Sequence, residues 1–219
     1  MSFHLPLPET QPATLIEREN RFVVRALGKE GEVRLHLPNS GRLRFLEPGT
    51  LLRYRPAKRE KTAGRVLLAR DRGAWVLLDS RYAEDALPWL LPRLGYRFLK
   101  PQPHFGENRF DALIEAGGRR VPLEMKSATH VEAGMACFPD TQSARALRHL
   151  KALKEADGVL VFAVLHPLGR AFRPCPFDPA FAEALAQAAR EGLRIHAVRM
   201  AVDLLGLRWA ETLPVYFFP

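Results

Sequence analysis

One stretch decides the fold of this chain, RFDALIEAGGRRVPLEMK at residues 109–126. Both ends of the stretch have the composition of short strands, and Gly117-Gly118 is a turn signal between them, which together predict a β-hairpin. Side chains alternate between the two faces of a strand, so Glu124 and Lys126 point the same way. The hairpin can also bring Asp111 alongside them.

Asp111, Glu124 and Lys126 have the pattern Asp…Glu-x-Lys, which suits the metal-dependent cleavage of a phosphodiester. Two carboxylates can hold a hard cation such as Mg²⁺ or Mn²⁺, and a lysine can position or activate the attacking water and stabilise charge in the transition state. We therefore predict catalytic roles for all three residues and metal ligation by both carboxylates. The competing interpretation is a salt-bridge cluster on a polar strand face, which is a common arrangement.

The composition is that of an ordinary globular protein with a basic excess. The chain has 219 residues, of which 47% are hydrophobic and 26% charged, enough for one large domain or two small ones. The net charge is +9, and residues 1–80 hold 15 basic and 9 acidic side chains, so the first part of the chain carries most of the excess. This balance is compatible with a polyanionic partner such as DNA or RNA.

The cysteines and the N-terminus bear on the cellular compartment. Cys137 and Cys175 lack a Cys or His neighbour at zinc-ligand spacing. We expect free, buried thiols in a reducing cytosol, with one disulfide as the alternative.

The first residues lack the charged and apolar segments of a signal peptide, and the apolar run at residues 159–165 is too short to span a bilayer. We therefore expect a cytoplasmic protein without a membrane partner, and no feature fixes its oligomeric state.

The first third of the chain predicts a small β-barrel. Strand-like segments separated by turn signals fall at residues 22–27, 32–37, 51–54, 65–68 and 75–78, a pattern typical of an OB-like barrel. Such barrels often bind single strands through basic and aromatic side chains. The segment Pro38-Asn39-Ser40-Gly41 is a strong turn signal, and its backbone N–H groups either shape a loop or contact phosphate.

The pattern changes at Tyr82. From there the order is helix, three strands, helix, strand, helix, strand, which predicts a mixed sheet with helices on its faces and is the skeleton of restriction-endonuclease-like nucleases. We divide the chain into a barrel at residues 1–81 and an α/β domain at residues 82–219. Glu84, on the first helix, is a further candidate metal ligand, and a solvated position beside Asp85 is the alternative. Asp140 is interpreted as the N-cap of the second helix, with a place near the metal as the alternative.

Basic side chains in both predicted domains are candidates for nucleic-acid contact. On the second helix, positions 145 and 149 share a face, and a basic face beside a metal site can grip a phosphate backbone. The alternatives are solvated charges and, for the histidine, a hydrogen-bonded packing residue. The predicted nucleic-acid-binding set is Arg42, Arg44, Arg55, Lys58, Arg59, Arg145, Arg148 and His149.

Five motifs follow one another along the chain: Pro38-Asn39-Ser40-Gly41, Arg109-Phe110-Asp111, Glu124-Met125-Lys126-Ser127, Phe138-Pro139-Asp140 and Arg145-Ala146-Leu147-Arg148-His149-Leu150. Together they resemble the sugar fermentation stimulation protein A (SfsA) family. The resemblance covers roughly residues 14–200. The chain departs from the family pattern in the second helix, where the family usually has Thr-Glu-Arg-Gly and this chain lacks the glutamate and the glycine.

The resemblance implies an N-terminal OB-type barrel joined to a domain of the PD-(D/E)xK nuclease fold. It also implies non-specific DNA binding and a regulatory role in sugar (maltose) metabolism, and it maps the acidic pair and the lysine of that fold onto Asp111, Glu124 and Lys126. We therefore expect a non-specific DNA-binding protein that carries an intact nuclease centre. The alternative is an active metal-dependent nuclease acting on DNA or RNA.

Overall fold

The structure, a computed structural model, describes residues 4–57 and 61–217 as a β-barrel followed by an α/β domain. Two predicted nucleic-acid contacts, Lys58 and Arg59, lie outside the described residues. The strands of the N-terminal part, in chain order, are β1 (His4–Pro6), β2 (Gln11–Asn20), β3 (Val23–Gly28), β4 (Gly31–His36), β5 (Leu51–Pro56), β6 (Gly64–Asp71) and β7 (Ala74–Leu77).

Strands β2 to β6 form a closed barrel. Their order is β4-β3-β2-β5-β6, and a parallel pairing of β4 with β6 closes the ring at Leu35↔Gly64 and His36↔Arg65. At this closure a Cβ on Gly64 would lie 2.5 Å from the carbonyl oxygen of Arg55, so the strands can meet there because residue 64 has no side chain. The predicted OB-like barrel is confirmed.

One of the five strands that form the closed barrel differs from the prediction. The segment predicted at residues 75–78 is β7, which pairs with β6 outside the closed ring, and its place in the ring is taken by β2. Strand β2 gives a weak sequence signal because only Thr10 before it and Ala13 and Leu15 within it are buried, while most of its other side chains are polar and more exposed. Strand β1, assigned to the barrel by the 1–81 division, instead pairs with the last strand of the second domain.

The α/β domain begins with short helical turns and continues as strands alternating with two long helices. Its elements are α1 (Arg81–Asp85), α2 (Leu87–Leu90), a 3₁₀ turn (Leu91–Leu94), β8 (Arg97–Pro101), β9 (His104–Phe105), β10 (Asn108–Arg109), β11 (Ala112–Ala116), β12 (Arg119–Ala128), β13 (His130–Glu132), β14 (Met135–Phe138), α3 (Ala144–Glu155), β15 (Val159–Val164), β16 (Ala171–Pro174), α4 (Pro179–Arg190), β17 (Arg194–Val202) and β18 (Gly206–Leu213).

The main sheet is mixed, as predicted, with the order β1-β18-β17-β15-β12-β11-β8. Strands β12, β15 and β17 run parallel at its centre, and β11 pairs antiparallel with β12 as the hairpin predicted for residues 109–126. Every residue of β15 is buried, which is typical of a parallel strand covered on both faces. A smaller sheet, β13-β14-β16, and the hairpin β9–β10 were not predicted because their strands have only two to four residues.

The barrel covers one face of the main sheet and the long helices cover the other. On the helical face, α3 and α4 contribute Leu150, Leu153, Phe181 and Leu185 to a cluster around Phe162. On the opposite face, Leu67, Leu68 and Leu77 of the barrel share one buried cluster with sheet residues of β11, β12 and β15. The two domains are therefore packed through a common core rather than joined by a linker.

Two predictions about single residues are wrong. Cys137 and Cys175 are not free thiols: they form a disulfide, with Cα atoms 4.9 Å apart, because the parallel pairing of β14 with β16 brings together positions 38 residues apart. Asp140 is not the N-cap of α3, since the helix begins later and Ser143 accepts the hydrogen bond from the Ala146 N–H.

Within the described residues no helix is long and apolar enough to cross a bilayer.

A buried carboxylate, Asp79, holds the junction between the domains. It is fully buried and accepts hydrogen bonds from Arg65 of the barrel, at 2.6 Å, and from Arg81 of α1, at 2.8 Å. Burial alone would raise the pKa of Asp79, but the hydrogen bonds from both guanidinium groups outweigh it and lower the pKa. Asp79 therefore stays ionised and ties the last barrel strand to the first helix.

Replacing this carboxylate should destabilise the protein. Asp79→Asn keeps the shape but removes the charge that both arginines face, and we expect a loss of roughly 2–3 kcal/mol in the free energy of unfolding. Urea denaturation measures it. The control is Glu115→Gln, which breaks the exposed ion pair with Arg97 and should cost less than about 1 kcal/mol. Equal losses in both variants would contradict the role of Asp79.

Candidate active site

The β11–β12 hairpin brings Asp111, Glu124 and Lys126 into one cleft. Asp111 immediately precedes β11, where its N–H donates to the Leu123 carbonyl and its Oδ2 accepts from the Met125 N–H at 2.7 Å. Glu124 and Lys126 lie two residues apart on β12, and the lysine Nζ donates to Glu124 Oε1. The hairpin register therefore fixes both carboxylates and the lysine on rigid backbone.

Glu124 lies at the bottom of the cleft and is only 3% exposed. Its Oε1 accepts from Lys126 and from Nδ1 of His149, at 2.8 Å. The imidazole donates this hydrogen bond in the tautomer that carries its hydrogen on Nδ1. The other oxygen, Oε2, is buried and has no hydrogen-bond partner among residues 4–57 and 61–217. A buried oxygen of this kind is costly unless another group, such as a cation, completes its environment.

The negative charge of Glu124 contributes to raised pKa values of Asp111 and Glu84. Burial, followed by the negative charge of Glu124, raises the pKa of Asp111 from 3.8 to about 7, although the hydrogen bond from Met125 opposes the shift. Burial also raises the pKa of Glu84, and the charges of Asp85 and Glu124 add to the effect. These carboxylates therefore form an electrostatically coupled acidic centre.

The donor set fits a hard divalent cation with few protein ligands. Within residues 4–57 and 61–217, no three histidine, cysteine or carboxylate groups converge closely enough to hold a metal ion on their own. The carboxylates of Asp111 and Glu124, the latter through Oε2, nevertheless offer oxygen ligands. Mg²⁺ commonly takes one or two carboxylates and completes its shell with water and phosphate. Glu84 lines the same cleft as Asp111 and Glu124.

The acidic cleft continues into two neighbouring cavities. Its own volume is about 310 Å³, and cavities of about 270 Å³ and 450 Å³ adjoin it. Arg145 of α3 lines all three, and Arg148 and Arg109 line the third. Basic side chains therefore line the spaces that adjoin the acidic cleft and can contact a phosphate backbone. We call the cleft together with these two spaces the groove.

A barrel loop at residues 38–41 forms one wall of the cleft. Asn39 Oδ1 accepts from the Gly41 N–H at 2.9 Å, and Asp140 Oδ2 accepts from the Leu43 N–H at 3.2 Å. A Cβ on Gly41 would lie 2.5 Å from the Asp140 carboxylate, so only glycine allows this close approach. Asp140, predicted as a helix cap, instead fastens the barrel loop to the α/β domain.

The predicted nucleic-acid residues are dispersed. Arg145 and Arg148 are exposed beside the cleft, whereas His149 is only 8% exposed, hydrogen-bonds with Glu124 and lines the third cavity next to both arginines. Arg42 and Arg44 stack over the ring of Phe177 at 5.3 and 4.6 Å, across the domain junction. Arg55 is exposed on the barrel and is not among the lining residues of the cleft.

Sequence reasoning missed three contributors to this site. Arg109 directly precedes the Phe-Asp pair and so could have been inferred from its position. Phe138 also lines the acidic cleft, and its place in the motif Phe138-Pro139-Asp140 could have indicated a role at the site. The contact between His149 and Glu124 joins residues 25 positions apart, which only the packing of α3 on the sheet brings together.

Comparison with known proteins gives one consistent answer. A family model described as the SfsA N-terminal OB domain matches residues 16–78, and one described as the sugar fermentation stimulation protein RE domain matches residues 78–206. Sugar fermentation stimulation protein homologues of Pyrobaculum islandicum and Natranaerobius thermophilus are each 33% identical over 91% of this chain and 91% of the relative. The solved structure of Pyrococcus furiosus SfsA in complex with Ca²⁺ has a TM-score of 0.87 and 32% identity, covering 97% of this chain and 98% of that one.

The raised pKa of Asp111 predicts a pH dependence of stability. The folded protein holds this proton more tightly than the unfolded chain, so the stabilisation is complete below about pH 4 and is lost as the pH rises through about 7. In EDTA, the melting temperature of wild type relative to Asp111→Asn should therefore fall between pH 5 and 8, on the order of a few degrees. Differential scanning calorimetry measures both curves, and parallel curves would refute the shift.

Proposed function

The chain belongs to the sugar fermentation stimulation protein (SfsA) family, and from this premise we propose that it binds nucleic acid non-specifically and hydrolyses phosphodiesters with Mg²⁺ or Mn²⁺ in the cleft between its domains. The observation that carries the proposal is the buried, unpartnered Oε2 of Glu124 beside Asp111, whose pKa is raised to about 7. Two acids held together in a poorly hydrated cleft are stabilised by a cation between them.

In this proposal Asp111 and Glu124 hold the metal, and Glu84 supports it from the edge of the cleft. A bound Mg²⁺ or Mn²⁺ would supply Lewis acidity toward the phosphate and lower the pKa of a bound water. Lys126, fixed on the same strand, positions the attacking water and stabilises the negative charge that develops on the phosphoryl oxygens. The Ca²⁺ complex of the Pyrococcus furiosus relative supports a hard-cation site in this family.

Nucleic-acid binding rests on the groove that contains the acidic centre. Arg145, Arg148 and Arg109 line its walls at the α/β domain. Guanidinium groups contact phosphate oxygens without reading bases, so we expect affinity without strong sequence preference, for DNA and for RNA. The sugar-metabolism role implied by the family resemblance stays an expectation, and the site itself supports phosphate chemistry.

A second candidate function is nucleic-acid binding without cleavage. It is favoured by one observation: Oε1 of Glu124 is already bound by Lys126 and His149, as in a structural ion-pair network. On that account the acidic cluster stabilises the fold, and the groove alone carries the function.

Cleavage assays distinguish the two candidates. We expect wild type to cut labelled DNA or RNA with Mg²⁺ or Mn²⁺ and not in EDTA. Lys126→Ala should reduce the rate roughly 10²–10³-fold, as is typical when a group that stabilises transition-state charge is lost. Asp111→Asn should abolish metal binding measured by calorimetry. Glu115→Gln, on the same hairpin but exposed and paired with Arg97, is the matched control.

The outcomes separate clearly. Cutting by wild type and the control, with loss in both site variants, establishes the nuclease. Retained binding by all four proteins with no cutting by any would refute the proposed hydrolysis and leave the binding candidate.

His149 is expected to position Glu124 for metal binding. His149→Ala removes one donor to Oε1 and should weaken the affinity for Mg²⁺ or Ca²⁺ by roughly 10–100-fold, the usual effect of a partner outside the metal's own ligands. His149→Asn places an amide N–H near the position of Nδ1 and should restore most of the affinity. Isothermal titration of both variants tests this, because a residue that only fills space next to Phe110 would give equal losses in both.

A further inference from the structure

A second cavity adjoins the acidic cleft and has no assigned role. It has a volume of about 270 Å³ and shares six lining residues with the cleft: Asn39, Ser40, Lys126, Ser127, Phe138 and Arg145. Because the two spaces share these walls, a ligand that places a phosphate over the acidic centre can extend directly into the second cavity. We call this second space the side cavity.

The wall of the side cavity formed by the barrel loop is fixed. Arg18 donates to the carbonyl oxygens of Gly41 and Arg42, at 2.8 and 2.7 Å, and Asp140 accepts from the Leu43 N–H on the opposite side. The loop is therefore tied to both domains. Since Glu124 is only 3% exposed beneath these walls, a substrate reaches it by entering the cleft rather than by lying flat over an open surface.

The side cavity has a cationic end, and hydroxyl, imidazole and carboxylate groups line the rest of it. The carboxylate is that of Asp140, which already accepts from the Leu43 N–H. Lys126 and Arg145 lie at the end shared with the acidic cleft, where a phosphate would sit. Farther in, the hydroxyl residues Thr129 and Thr141 and the imidazole of His130 line the walls.

Phe138 lines both spaces, and its ring also packs on Phe162 and Phe181, with centroids 5.8 and 5.6 Å away. The part of a partly buried aromatic ring that faces a cavity can contact a nucleobase.

We propose that the side cavity holds the base and sugar of an unpaired nucleotide next to the scissile phosphate, so that the substrate is single-stranded or locally unpaired nucleic acid. This inference rests on the proposed function and adds the class of substrate. A base within a duplex is held in the stack by pairing, and it can enter a cavity only after it is unpaired. A single strand meets no such cost and is the favoured ligand.

A binding assay tests the proposal without depending on cleavage. The probes are fluorescein-labelled, mixed-sequence 12-nucleotide single strands of DNA and of RNA, and the blunt DNA duplex of the same sequence. Fluorescence anisotropy is measured with Ca²⁺, and again in EDTA, at a salt concentration high enough to weaken contacts made to the backbone alone. Wild type should bind one or both single strands at least tenfold more tightly than the duplex.

A bulky substitution locates the binding within the side cavity. Thr141→Trp fills the space from the loop before α3 and should weaken single-strand binding at least tenfold while leaving duplex binding within about twofold of wild type. Gln142→Trp is the matched control, because residue 142 is exposed and does not line the cavity. A Ca²⁺ titration and a melting curve of Thr141→Trp show whether the acidic centre and the fold are retained.

A second variant keeps the test decisive if Thr141→Trp fails to fold. His130→Ala removes a ring from the wall without adding bulk, and it should weaken single-strand binding several-fold. Equal binding of single strands and duplex by wild type, or single-strand binding by folded Thr141→Trp equal to wild type, would overturn the inference. If the duplex is cut as fast as the single strand, the side-cavity inference is refuted and the proposed hydrolysis stands. If single strands bind preferentially but nothing is cut, the proposed hydrolysis is refuted and the preference for unpaired nucleic acid stands.

Discussion

Two carboxylates that repel each other are held together by the backbone of a hairpin, and the rest of the site depends on this constraint. Asp111 is fixed by the N–H of Met125, and Glu124 occupies a buried strand that pairs in parallel with β15. The sheet supplies the rigidity, since its neighbouring strands are covered on both faces. Without that support the charges would separate into water, and the acidic centre would be lost.

The barrel is part of this site rather than an appendage to it. Its loop at residues 38–41 forms a wall of the cleft, and its leucines enter the core that covers one face of the main sheet. Asp79 and Asp140 fasten the junction from two directions, one through guanidinium groups and one through a backbone N–H. The acidic centre therefore lies in a cleft whose walls come from both domains.

The arginines of the chain occupy different places relative to the acidic centre. The basic excess of the chain is not spread uniformly around the acidic centre: Arg145, Arg148 and Arg109 line its continuation, whereas Arg42 and Arg44 stack on Phe177. Two arginines of the predicted binding set therefore contribute to the packing of the domains as well as to the surface charge. His149, predicted to contact nucleic acid with hydrogen-bonded packing as the alternative, contacts Glu124 and also lines the cavity beside Arg145 and Arg148.

The sequence by itself determined the two-domain architecture, the hairpin and the family, because alternation of side chains, turn signals and local motifs are properties of neighbouring residues. Only the tertiary structure decided which distant groups meet. Three contacts join positions more than 20 residues apart. They are the pairing of β4 with β6, the disulfide between Cys137 and Cys175, and the hydrogen bond between His149 and Glu124. Such contacts arise from the packing of whole helices and strands, so the pattern of neighbouring residues does not predict them.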